Sequence, residues 1–183
     1  MGYGDKPFGL REIRLVSAAG EIVHLPAAMK LGFAPTVVSS ELRQDDLLRA
    51  IVTVEDRIDW SLEAGGISLA AWALMTGYSV AESGTAPSRA SRLRLMGNRT
   101  YPFFRIYGKS VGDNLLDDIH VKLHKCKLAE PLEGEFADGE FYVTKCAGKS
   151  VAHPLYGLAD IVQNETSAAE TTGYLLAESG EIL

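Results

Sequence analysis

A mainly β fold, an antiparallel β-sandwich or partial barrel with one short flanking helix, is what this sequence predicts, and three observations predict it. From Ile51 to Glu63 the residues alternate, with Val52, Val54, Ile58, Trp60 and Leu62 on one side and Thr53, Glu55, Arg57, Asp59, Ser61 and Glu63 on the other. Alternation with a period of two over a dozen residues marks a long antiparallel strand with one wet face. Shorter runs of the same alternation recur, and Gly/Asn/Asp clusters, which supply positive backbone angles and side-chain caps at turns, separate them. One segment has helical spacing instead.

In chain order, Ile13 and Leu15 mark a first strand and Ala19-Gly20-Glu21 a turn. The long strand follows, with a bend expected at Asp56, the one polar residue on its apolar side. In GGISLAAWALMTG, Ile67, Ala70, Ala71, Leu74 and Met75 fall at helical spacing, with Gly65-Gly66 before them and Gly77 after. These signals predict a helix over about 67–76, covering a sheet face or edge. Leu93 with Leu95, Phe104 with Ile106, Ile119 with Val121 and Leu123, and Phe141 with Val143 predict further strands. Gly97-Asn98, Gly112-Asp113-Asn114 and Ala137-Asp138-Gly139-Glu140 punctuate them, and six or more strands are implied.

The composition, 183 residues with 46% hydrophobic and 23% charged, is that of one folded domain, 1–183, rather than a disordered chain. A domain of this size buries roughly 70% of its unfolded surface without help from metals or disulfides. The net charge of -6 argues against a general nucleic-acid binder. Two cysteines make no disulfide scaffold, MGYGDKPFGL has no signal-peptide pattern, and the apolar run Ile67–Met75 is too short to span a bilayer. A cytoplasmic site of synthesis and no membrane segment are expected.

Chemistry is sparse. His120 and His124 on a strand would stand about 13 Å apart, too far for one ion, and their alternation with Ile119, Val121 and Leu123 predicts exposed imidazoles. Gly-Lys-Ser-Val occurs at 108–111 and 148–151, but the first glycine of a phosphate loop is replaced by Phe103 and Val143, so both are expected as turns. Asp45-Asp46 and Asp117-Asp118 diverge on extended backbone and read as solvated turns. Neither cysteine has a neighbouring histidine, and a hairpin centred near 134 would set Cys126 opposite about 142 rather than Cys146. No catalytic set, metal site or cofactor is expected.

Charge is segregated. Ser88–Lys109 carries Arg89, Arg92, Arg94, Arg99, Arg105 and Lys109 and no acid; Glu41–Glu63 carries seven acids against three arginines. From Ala159 onward there are five acids and no Lys or Arg, and an acidic, mobile tail is expected from about 166. Tyr101, Phe103, Phe104 and Tyr107 among the arginines of 89–109 could bind phosphates and stack on bases, which keeps a nucleic-acid-binding module as a rival reading.

The stretch 41–77, ELRQDDLLRAIVTVEDRIDWSLEAGGISLAAWALMTG, resembles the signature region of the tail tube (major tail) proteins of long-tailed bacteriophages of the siphophage type. It holds a Leu-Arg-x-Asp-Asp hairpin, a long alternating strand, and Glu-Ala-Gly-Gly-Ile before a short helix ending in Thr-Gly. GEFADGEFYV at 134–143 resembles their late turn and strand, and GLADIVQNET at 157–166 their C-terminal phrase. The resemblance implies a virion structural protein without catalytic residues, six copies of which close into a ring. The rings stack into a hollow tube that carries DNA to the host, an architecture shared by the type VI secretion tube. Its implied partners are further copies of itself, tail terminator and tail-tip proteins, and, in the lumen, the tape measure protein and then DNA. A tail terminator or head-to-tail joining ring is the alternative within virion parts.

On that resemblance, a hairpin around Gln44–Leu47 carrying Arg43, Asp45 and Asp46 is expected to reach a neighbouring subunit or ring, opposite a basic strand such as Arg92 and Arg94. DNA must slide without sticking, so an acidic wall is expected around the channel, with Glu55, Asp59 and Glu63, partly offset by Arg57, as its lining.

Overall fold

The computed structural model describes residues 7–25, 27–44, 47–66, 68–112, 118–133, 138 and 142–164. They form strands β1 (Pro7–Ser17), β2 (Ile22–Leu25), β3 (Ala28–Gln44) and β4 (Leu47–Gly65), then helix α1 (Leu69–Thr76). β5 (Val80–Ser83), β6 (Ala90–Leu93), β7 (Phe104–Gly112), β8 (Asp118–Leu128), β9 (Val143–Ser150) and β10 (Ala159–Asn164) follow. Among the described residues the expected class holds: an antiparallel, mainly β fold with one helix and no closed barrel.

Seven strands of the main sheet run β2-β1-β7-β8-β9-β4-β3, and β10 pairs beside the first half of β8. β5 and β6 make a separate hairpin. The main sheet curls over itself. Trp60 of β4 and Phe104 of β7 are separated by β8 and β9 in the ladder, yet their rings meet edge to face with centroids 5.8 Å apart. Ile13, Leu15, Ile58, Trp60, Leu62, Phe104, Ile106, Leu123, Cys126 and Cys146 fill the concave side.

The helix closes one end of this core. Ser68 Oγ accepts the Ala71 N–H at 3.3 Å, and Gly77, at φ 74°, ends the helix in the left-handed conformation that glycine tolerates. Ala71, Leu74 and Met75 turn into the core shared with Trp60 and Leu62. The turn after β1 also follows its residues: Gly20, at φ 85°, donates to Ser17 O at 3.0 Å and β2 returns along β1.

The Gly-Lys-Ser-Val repeats are not turns. Gly108 lies inside β7 and Gly148 inside β9. A Cβ on Gly108 would meet the Leu31 side chain from the opposite wall, and one on Gly148 would collide with the Trp60 ring and the Lys127 carbonyl. Glycine is used here to admit a large neighbour into a strand interior. The β8–β9 pairing differs too. Cys126 stands opposite Ser150 and Leu128 opposite Gly148, so the ladder is centred on Asp138 rather than 134. Cys146 stands opposite Leu62, and both cysteines are free and buried. Burial pushes the Cys126 thiol well up and the Cys146 thiol up to about 12, so both stay protonated and inert.

Candidate assembly surface

β9 pairs with β4 only from Ile58 to Gly65, whereas β3 accompanies β4 through to Gln44 opposite Leu47. Beyond Thr36 and Arg57 the two strands therefore leave the sheet as a two-stranded arm, roughly 30 Å long at the usual rise per residue. Pro35, which lacks an N–H, is accommodated because β3 is the edge strand of the sheet.

Asp56 sits where the bend was expected, and it is a β-bulge. Thr36 pairs with Arg57 and Val37 with Glu55, so Asp56 is an extra residue in β4. One extra residue exchanges the faces of everything beyond it. The single apolar stripe expected from Val52 to Leu62 is therefore split: Ile58, Trp60 and Leu62 face the core, and Val52 and Val54 lie on the other face, beside Val38 and on the side of Arg57 and Asp59. The acidic row is split as well. Glu55 shares the face of Ile58, opposite to that of Asp59 and Glu63, so these three carboxylates do not form one lining.

The arm is apolar in the open. Val38, Leu42, Val52 and Val54 on one face, and Val37 and Ile51 on the other, are each more than half exposed. Two-stranded ribbons are marginal alone in water, and an exposed apolar ribbon is normally covered. Of the proposed contact residues, Arg43 lies near the end of β3 in this arm, and Asp45 and Asp46 lie outside the described residues. Arg92 on β6 and Arg94 just after it are exposed, and neighbouring Arg89 pairs with Glu82 at 3.4 Å.

At the arm's base Asp59 accepts from Thr36 Oγ1 at 2.7 Å and from Arg57 Nε at 3.2 Å, which hold its carboxyl below the usual range. In the ladder Asp59 stands opposite Lys149 and Glu63 opposite Lys145, with Lys30 Nζ 3.6 Å from Glu63. The expected excess of acid is thus offset on this face by a lysine across from each carboxylate.

The exposed histidines expected on β8 are also corrected: His120, Lys122 and His124 are buried. The segment after β9 folds back over them. Tyr156 stacks between His124 and His153, with ring centroids 5.5 and 4.9 Å apart, and Lys122 Nζ lies 6.0 Å from the Tyr156 centroid. His124 Nε2 is 3.1 Å from Asp160 Oδ2. Among the described residues no group of three His, Cys, Asp or Glu side chains could hold a metal ion. No helix there is long and apolar enough to cross a membrane. Phe104 and Tyr107, two of the four aromatics proposed to stack on bases, are buried inside the sheet together with Arg105 and cannot reach a nucleic acid.

No known protein family and no curated protein matches the sequence. The reading of function rests on the surface just described and on the phrases of the sequence itself. The long strand was legible from its alternation, but its exposed arm was not, because Val52 and Val54 were expected on the buried side with Trp60.

Proposed function

We propose that this chain is a self-assembling virion subunit, the tail tube protein of a long-tailed bacteriophage. Copies of it would close into rings and stack into the hollow tube that conducts DNA. The observation that carries the reading is the β3–β4 arm, a long ribbon of exposed valine, leucine and isoleucine that a solitary molecule leaves in water. Burying it against another copy removes the apolar surface, and a contact between unlike patches repeats from copy to copy until it closes a ring or extends a fibre. In the sequence, the Leu-Arg-x-Asp-Asp phrase of the resemblance starts at the end of β3, and β4 runs on into the Glu-Ala-Gly-Gly phrase before the helix.

Electron microscopy and sedimentation of the purified chain test this. Rings and elongating hollow tubes are expected from the native protein. The V52D/V54D variant, with two charges on the arm and the core untouched, is expected to stay a folded monomer. Rings that never elongate would instead favour the terminator or joining role, and a native chain that stays monomeric at every concentration overturns the assembly reading.

A further inference from the structure

The two ends of the fold carry unlike surfaces. At one end β1 and β4 finish and β7 begins, and there α1 and the β5–β6 hairpin border a common groove with Ser17 and Phe103. At the other end β1 and β4 begin and β7 finishes, and the β3–β4 arm leaves the sheet. The part of β4 paired with β9, from Ile58 to Gly65, spans roughly 25 Å between them. The arm points away from the hairpin, so the two do not meet within one chain. Just after β6 the chain exposes an apolar pair, Leu95 at 62% and Met96 at 73%, with Arg92 and Arg94 exposed beside it. Between residues 78 and 109 the one acid is Glu82, which pairs with Arg89 at 3.4 Å; Arg99 lies over the Tyr78 ring, 5.4 Å from its centroid. The face of the arm that continues the core is apolar and acidic instead. The alternation of β3 runs from Leu31 and Phe33 to Val37, and Val37, Glu41, Ile51 and Glu55 share that face. At its foot opens a cleft of about 400 Å³ lined by Leu10, Leu31, Phe33 and Val121, with Lys30 and Lys109 also along it.

We propose that segment 92–96 of one copy seats on this face of the arm of the next copy, with the arginines beside Glu55 and the apolar pair toward Phe33 and the cleft. The inference rests on the assembly reading and names the contact that elongates the assembly. Charge sets the orientation: lysines line the cleft and carboxylates the arm, so cations fit along the arm and Leu95 and Met96 fit the mouth of the cleft. Most of the affinity comes from apolar surface that each molecule leaves in water on its own, while the exposed ion pairs fix register. Because every copy offers one arm and one such segment at opposite ends, the contact is heterologous. It repeats along the strand direction instead of pairing two copies face to face.

Thiol crosslinking of the full-length chain tests the contact, since Cys126 and Cys146 are buried and stay protonated while V37C and M96C place new thiols at exposed positions. Under assembling conditions a short bismaleimide is expected to join V37C protein to M96C protein when the two are mixed. Each single variant alone should stay uncoupled, and V37C/M96C should give a ladder of multimers. The variant R92E/R94E is expected to melt like the native protein and to need about tenfold more protein to assemble at low salt. Assembled protein without a 37–96 link, coupling of either single variant only to itself, or unchanged assembly of R92E/R94E each overturns the proposal and leaves the assembly reading standing. A native chain that stays monomeric at every concentration overturns that reading itself, and it shows before any variant is made.

Discussion

At the scale of single residues, Trp60 decides how the sheet closes. Its ring meets Phe104 from the far side of the curl and lies over Gly148 of the adjoining strand, so one side chain bridges both walls of the core. Trp60→Ala is expected to lower stability by about 3–5 kcal/mol, read as a shift of the urea midpoint. Trp60→Phe should lose much less, because it keeps the edge-to-face contact and removes an indole N–H that finds no acceptor among the described residues. Equal melting of native protein and the alanine variant would show that the ring carries no packing energy. The burial of Trp60 was legible from alternation alone; the purpose of Gly148 was not. Glycine in a sequence signals a turn, and only the ring placed against it by a strand ninety residues away shows that the need is space. His120, Lys122 and His124 were misread for a related reason: alternation tells one face of a strand from the other, but not that a later segment will cover the second face.

At the scale of elements, the helix was legible to within two residues, because Gly65-Gly66 before it and Gly77 after it are local signals that need no tertiary partner; the Ser68 cap was not foreseen. β3 was not. Gly32 and Pro35 break its pattern, and both are explained only by its neighbours: Ser61 Oγ fills the space over Gly32, and the edge position excuses Pro35. The bulge at Asp56 was visible as a flaw in the alternation, but that it turns the arm over follows from the pairing with β3. One face of the arm is apolar while the other carries Glu41 and Glu55 among Val37 and Ile51, so direction and register are left to its charges, with Arg43, Asp45 and Asp46 among them in the sequence. Exposed ion pairs are weak singly, yet each is repeated at every subunit of a ring. Asp45→Lys with Asp46→Lys is therefore expected to leave the monomer's melting unchanged and to shorten or abolish tubes at the same salt concentration. Normal tubes from that double variant would make the tip a solvated turn and leave adhesion to the valines alone.

Across the whole molecule, the wet outer face of the β4–β9 wall, with Lys145 and Lys149 exposed on it, carries charges that bear on where a channel could run. A wall that lets DNA slide has to repel phosphate, since every lysine held against it releases counterions and adds salt-dependent adhesion. Asp59 and Glu63 looked suited to that wall when only β4 was in view, but the ladder sets Lys149 and Lys145 directly beside them on β9. With Arg57 on the same side, sixfold repetition of such a face would line a channel with at least as many cations as anions. On the tube reading, the β4–β9 face is therefore expected to lie away from the lumen, with Lys145 and Lys149 on the outer surface or between subunits. Amine-reactive labels distinguish the placements in assembled tubes. A reagent coupled to a carrier too large to enter the bore should modify Lys145 or Lys149 if the face is external, and neither reagent size should do so if it is buried between subunits. Modification by the small reagent alone would place these lysines in the channel, and repulsion of phosphate would then not be what keeps the bore clear.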